Sequence, residues 1–189
     1  MALSKKTIRE QVLGARKLIG TAEMKELSFA IQRRLTDSVN FRQAETIFVY
    51  MSMAEEIGTD RIIAAAERQN KTILVPVITA KGIMRPCKLS SDTEFEKNSF
   101  GTLEPVSRDF YTGRIDLCVT PALAVDKRGY RIGYGGGYYD RFFSENGDVF
   151  KAALCFEQFF FDEHEFDAKE HDIAVDGIFT EDRTILFEK

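Results

Sequence analysis

The run RGYRIGYGGGYYDRFF, residues Arg128 to Phe143, sets four glycines (Gly133, Gly135, Gly136 and Gly137) within five residues and flanks them with tyrosines, arginines and an aspartate. Glycine loses more conformational freedom on folding than any other residue, and it is used where φ is positive or where a ligand must approach the main chain. A hairpin turn needs one or two such residues. A flexible linker would not carry Tyr134, Tyr138, Tyr139, Phe142 and Phe143, because a segment so rich in rings packs against something. The loop is therefore expected to be ordered, with backbone N–H groups directed at an anion and a helix starting near Tyr138. GxGxxG fails at Tyr138, and GxxxxGK[ST] is absent. Bare N–H groups leading into a helix N-terminus bind phosphate without either motif; the plainer alternative is a tightly packed turn.

Asp140 starts that helix beside Arg131 and Arg141. A carboxylate next to a phosphate is repulsive unless a hard cation lies between them, so Asp140 reads either as a Mg²⁺ ligand or as a first-turn partner of the helix dipole. In YMSMAEEIGTDRI, Glu55 and Glu56 fall between the C-terminal end of a strand and the start of a helix, which is where α/β proteins bind ligands. Either could meet a substrate or be a solvated loop acid, and both follow a different strand end from the glycine loop. Lys5, Lys6, Arg9 and Arg16 read as the wet face of a helix.

Elements able to position these groups are visible in the pattern of apolar residues. Ile8, Val12, Ala15 and Ile19, then Met24, Leu27, Ile31 and Leu35, follow helical spacing with a break near Gly20. TIFVYM (46–51) is a strand, TDRIIAAAERQ (59–69) a helix with Thr59 as N-cap, and KTILVPVI (71–78) a strand, which together make a βαβ unit. Further strands are expected at 83–89, 115–120, 151–156 and 176–180. This alternation predicts an α/β layered sandwich: one domain spanning 1–189, with a largely parallel or mixed central sheet and helices on both faces. A chain of 189 residues is long enough to bury a core without staples.

The charge balance, 26 basic against 30 acidic residues, is mild, and no basic run is long enough for nucleic acid or a polybasic membrane anchor. No long apolar segment occurs, so a cytoplasmic location without a membrane partner is expected. Cys87, Cys118 and Cys155 are odd in number and lie in apolar, strand-like contexts, as reduced core thiols do. His164 and His171 are not at metal-ligand spacing. The phenylalanines of FEQFFFDEHEF (156–166) read as packing residues.

DKRGYRIGYGGGYYDRF resembles the signature of the 5-formyltetrahydrofolate cyclo-ligase (methenyltetrahydrofolate synthetase) family, and the likeness runs along nearly the whole chain. Lys5 and Arg9 match an opening K-x-x-x-R, YMSMAEEIGT a strand–loop with an acid before the threonine, GTLEP (101–105) a G-x-L-E-P, and HDIAVDGIFTED (171–182) the closing segment. Departures are Ala174, where members often have proline, and TPA at 120–122, where they have V-P-G. The resemblance implies ATP- and Mg²⁺-dependent cyclisation of 5-formyltetrahydrofolate to 5,10-methenyltetrahydrofolate, with release of ADP and phosphate, by phosphorylation of the formyl oxygen and closure by N10. It implies that Lys5, Arg9, Arg131, Gly133, Tyr134, Gly135, Gly136, Gly137, Tyr138 and Tyr139 hold ATP, that Asp140 and Asp172 hold the metal, and that Met51 and Glu56 line the folate site. Glu56, Arg131 and Tyr138 would be catalytic, the partners small molecules alone, and the chain a monomer.

Overall fold

The structure, a computed structural model, describes residues 3–98, 101–162 and 165–188. It opens with α1 (Lys5–Arg16) and α2 (Thr21–Thr36), followed by the short α3 (Val39–Gln43), β1 (Thr46–Val49), α4 (Asp60–Arg68), β2 (Thr72–Ala80) and β3 (Ile83–Lys88). A hairpin of β4 (Phe95–Lys97) and β5 (Leu103–Pro105) precedes β6 (Leu117–Pro121), β7 (Ala124–Asp126), β8 (Arg131–Ile132) and α5 (Tyr138–Glu145). The chain then forms β9 (Phe150–Leu154), β10 (Phe160–Phe161), β11 (Gly177–Phe179) and β12 (Thr184–Leu186). Among the described residues no helix is long and apolar enough to cross a membrane.

Seven strands form one sheet in the order β12-β11-β9-β6-β1-β2-β3. The interior pairs are parallel, and β3 and β12 close the two edges antiparallel. Strands with both faces covered are apolar throughout, and β1, TIFV, is buried at every position. Its alternation assigns the layers. Ile47 and Val49 join the cluster containing Ile8 of α1, Ile31 of α2, Phe41 of α3 and Ile62 of α4, while Phe48 packs with Phe142 and Phe143 of α5. Ile73 and Val75 divide from Leu74 in the same way, as do Leu117 and Val119 from Cys118. The layered sandwich with helices on both faces is as expected, and all three cysteines are buried and free.

Beyond the short α3, the β4–β5 hairpin and β12, which were not expected, three details near the site differ from the expectation. Thr59 stands at the N-cap position of α4 without capping it; its hydroxyl instead donates to the Tyr50 carbonyl at 2.8 Å, tying the helix start to the end of β1. The strand expected from residue 115 begins at Leu117, because the Asp116 side chain accepts from the N–H groups of Glu45 and Thr46 at 3.0 Å and finishes the sheet edge there. A small sheet in the order β10-β7-β8 had no counterpart in the sequence reading. Its turn is built on Asp126, which is fully buried and accepts from the N–H groups of Arg128 and Tyr130, each at 3.0 Å. Gly129 completes that turn at φ +84°, where a Cβ would lie 3.0 Å from the Val175 carbonyl oxygen.

From β1 the sheet grows one way through β2 and β3, and the other way through β6, β9 and β11. The order reverses between β1 and β6, so a crevice opens beyond their C-terminal ends, and such switch points are where doubly wound sheets bind ligands. The hairpin of β7 and β8 follows β6 directly and delivers the glycine loop to this crevice.

Candidate active site

A cleft of about 1020 Å³ runs along the glycine loop, from the N-terminal turn of α1 to the segment 169–173. The Ser4 side chain caps α1 by accepting from the Thr7 N–H and so fixes the helix entry. Lys5 and Arg9, one turn apart, share the face that lines the cleft. Arg9 Nε donates to the Gly133 carbonyl at 2.8 Å, and Lys5 pairs with Asp172 at 2.5 Å. Within the loop Gly135 has φ +100° and Gly137 φ +66°, conformations that side chains of L residues avoid. At Gly136 a Cβ would meet the Tyr138 ring at 2.6 Å. Among the described residues the N–H groups of Gly135, Gly136 and Gly137 donate to no other backbone or side-chain group. They form an open cradle ahead of α5, surrounded by cations.

Arg131, 7% exposed, anchors the far wall. Its Nη1 donates to the Ile173 carbonyl at 3.0 Å and its Nη2 lies 3.2 Å from Asp140 Oδ1, which also accepts from the Ile173 N–H at 3.1 Å. Burial pushes the Arg131 guanidinium below its ordinary range, and Asp140 opposes that shift. Partial burial would raise the Asp172 carboxyl, but the hydrogen bonds from Lys5 and the Lys169 N–H outweigh it and leave the group below the usual carboxylate range.

Asp140 and Asp172 both line the cleft, and among the described residues no cluster of three metal-ligating side chains occurs. Mg²⁺ is commonly held by one or two carboxylates together with substrate phosphates and water. Asp140 and Asp172 could hold such an ion only together with oxygens of a ligand, since they do not make a closed protein cage.

Glu56 lies outside the residues lining this cleft and instead lines a neighbouring cavity of about 420 Å³ with Gln32, Ser52, Met53 and Arg61. It is buried, its Oε2 accepting from the Met53 N–H at 2.8 Å. Burial raises its carboxyl above the ordinary range, with the Met53 hydrogen bond, Arg16 and Tyr134 pulling the other way. The Tyr134 phenol and that carboxylate are near enough to shift each other's ionisation. Glu56 and the glycine loop thus line different cavities, and Tyr134 is the residue of the loop whose charge environment reaches that carboxylate. Met51 is half-buried and packs against the core without lining either cavity.

The structure also overturns the reading of Arg16 as a solvated charge. It is 4% exposed, and its Nη2 donates to the Ala122 carbonyl at 2.6 Å and faces the Leu123 carbonyl at 3.4 Å. Its Nη1 reaches the Glu55 carbonyl at 3.5 Å, and the guanidinium sits over the rings of Phe156 and Phe159. Arg16 thus spans the switch point, holding the loop after β1 to the segment after β6. A signal was present in the sequence: Ile8, Val12 and Arg16 are spaced by four and form the buried stripe of α1.

A sheet whose strand order reverses beneath a basic, glycine-lined crevice places the protein among α/β folds that bind ligands across the switch point. Residues 2–181 match the 5-formyltetrahydrofolate cyclo-ligase family, and the chain belongs to it. A Haemophilus influenzae relative named 5-formyltetrahydrofolate cyclo-ligase is 30% identical over 139 residues, 71% of this chain and 74% of that one. A mouse relative of the same name is 26% identical over 193 residues, covering 95% and 94% of the two chains. The NMR structure of Aquifex aeolicus 5,10-methenyltetrahydrofolate synthetase shares the fold with a TM-score of 0.83 at 24% identity, covering 96% of this chain and 92% of that one.

Proposed function

We propose that this chain closes 5-formyltetrahydrofolate to 5,10-methenyltetrahydrofolate at the expense of ATP. The observation that carries the reading is the cradle of open N–H groups at Gly135, Gly136 and Gly137, set in one cleft with Lys5, Arg9 and Arg131. Such an array holds a polyphosphate and meets the charge that grows during phosphoryl transfer. Asp140 and Asp172 would hold Mg²⁺ against the phosphates, where it would neutralise part of their charge.

An N-formyl amide is a poor electrophile, and its oxygen must be made a leaving group. The formyl oxygen attacks the γ-phosphorus of ATP, forming an O–P bond as the bond to ADP breaks, and N5 takes the positive charge of the iminium phosphate. N10 then adds to the formyl carbon and loses its proton, and the C–O bond breaks to release phosphate. Arg131 stabilises the transferring phosphoryl group, and Tyr138 at the start of α5 orients it. Glu56, whose carboxyl is raised by burial, is suited to receive the N10 proton. Glu56 would border the folate, with Met51 packed against the core at the end of β1, and Tyr134 would lie on the nucleotide side.

Absorbance of the methenyl product with and without ATP tests the reaction, and product formed without ATP overturns it. Substrate carrying ¹⁸O in the formyl group tests the route: mass spectrometry should find the label in inorganic phosphate after one turnover. Label released as water would leave ATP only a conformational role.

A further inference from the structure

Arg141 belongs to the first turn of α5 but spends its guanidinium on two carbonyls distant from each other in sequence. Its Nε donates to the Gly82 carbonyl at 2.6 Å, in the turn between β2 and β3, and its Nη2 donates to the Gly136 carbonyl. Gly82 has φ +79°, and a Cβ there would lie 2.7 Å from Arg141 Cζ and 2.8 Å from Nε. That turn thus leaves room for the guanidinium only because residue 82 is glycine. Gly82 itself does not line the cleft.

A trans peptide is planar, with its C=O and the following N–H pointing in opposite directions. Holding the Gly136 carbonyl therefore fixes where the Gly137 N–H points, away from the guanidinium. Arg9 performs the same operation at the other end of the loop, where its bond to the Gly133 carbonyl fixes the Tyr134 N–H. Without such pins a run of glycines has access to both orientations of each peptide plane, and a bound anion must then order the donors itself.

We propose that Arg141 is a positioning residue for the anion cradle, anchored on the β2–β3 turn, and that it pre-orients the Gly137 N–H for the phosphates of ATP. This deepens the nucleotide reading above and rests on it. Donors oriented in advance cost no reorganisation when charge develops.

Arg141 itself lines the cleft, and Gly82→Ala keeps its charge there while taking away the anchor of its guanidinium. Calorimetric titration with ATP should show Kd raised about tenfold for Arg141→Ala and similarly for Gly82→Ala, the effect of one charge-assisted hydrogen bond. The double variant should bind no more weakly than Arg141→Ala alone, since both changes remove one function. Folate affinity and the melting temperature without ATP should stay close to wild type in Arg141→Ala. Arg141→Lys keeps the charge but cannot bridge the two carbonyls, and it should match Arg141→Ala even if Gly82→Ala fails to fold. Wild-type ATP affinity in Gly82→Ala or Arg141→Lys, or additive losses in the double variant, overturns the proposal alone. A wild-type chain that binds no ATP overturns the nucleotide reading, and this inference with it.

Discussion

The Lys151–Asp176 and Arg131–Asp140 pairs are built of similar charges at opposite ends of the sheet, and they do different things. Lys151 Nζ lies 3.2 Å from Asp176 and 3.3 Å from each of the Gly147 and Val149 carbonyls, while Asp176 Oδ2 also accepts the Lys151 N–H at 2.8 Å. The three donors of the ammonium group are thus taken by the protein. The side chains are 7% and 10% exposed, closed beneath the N-terminal ends of β9 and β11. Arg131 is as deeply buried, but Asp140 is 23% exposed and both residues face the cleft. A closed pair commits its polar groups to the fold, whereas an open one can offer charge to a ligand.

The largest effect should come from breaking the closed pair. Lys151→Met removes the ammonium partner of the buried Asp176 carboxylate and should cost about 3–5 kcal/mol in urea unfolding, the usual result of removing one partner of a buried pair. Turnover per folded molecule should be unchanged, and a loss of turnover without loss of stability would reverse the roles assigned to the two ends. At the open pair, Asp140→Asn keeps an oxygen for the Ile173 N–H but loses the charge. It should lower turnover about 10- to 100-fold, or roughly 1.4–2.7 kcal/mol of transition-state stabilisation, with partial recovery at high Mg²⁺. Wild-type Mg²⁺ dependence in that variant would reduce Asp140 to a helix-end charge.

The smallest effect sharpens the contrast with a carboxylate, Glu56, that forms no ion pair among the described residues. Burial raises the Glu56 carboxyl in the folded state, so folding favours the protonated form. Stability from this source is lost as pH rises from the unfolded carboxylate range through the raised folded value. Glu56→Gln should therefore be more stable than wild type at neutral pH, with the difference vanishing in acid below the ordinary carboxylate range. Folate affinity should fall while ATP affinity holds. A variant less stable at neutral pH would mean that the Met53 and Tyr134 contacts outweigh desolvation.

Helices with an unbroken apolar stripe, α1, α2 and α4, were legible in the sequence, as were the interior strands, because periodicity and length both mark them. The small sheet was not, because β8 and β10 are two residues long and β7 three, below the length at which alternation is readable. The glycine loop announced itself through composition. The influence of Tyr134 on Glu56 could not be read from residues 78 apart without knowing that the strand order reverses between β1 and β6. Arg16 was misread because charge outweighed spacing. A cation on an apolar stripe is the exception that deserves its own expectation, and its carbonyl partners come from loops that only the tertiary fold brings together.

The buried cysteines supply an internal clock for how the sandwich opens. Cys118 lies on the face covered by α5 and Cys155 on the face covered by α1 to α4. Burial pushes the Cys155 thiol up to about 12 and the Cys118 thiol well above its ordinary range. Since the thiolate is the nucleophile, alkylation at neutral pH must wait for each layer to lift. The labelling rates of the two thiols would therefore time the two halves of the molecule separately. Equal rates would describe a sandwich that opens as a unit. Faster labelling of Cys118, slowed by ATP, would describe an α5 wall that breathes while the layer carrying Arg16 stays shut.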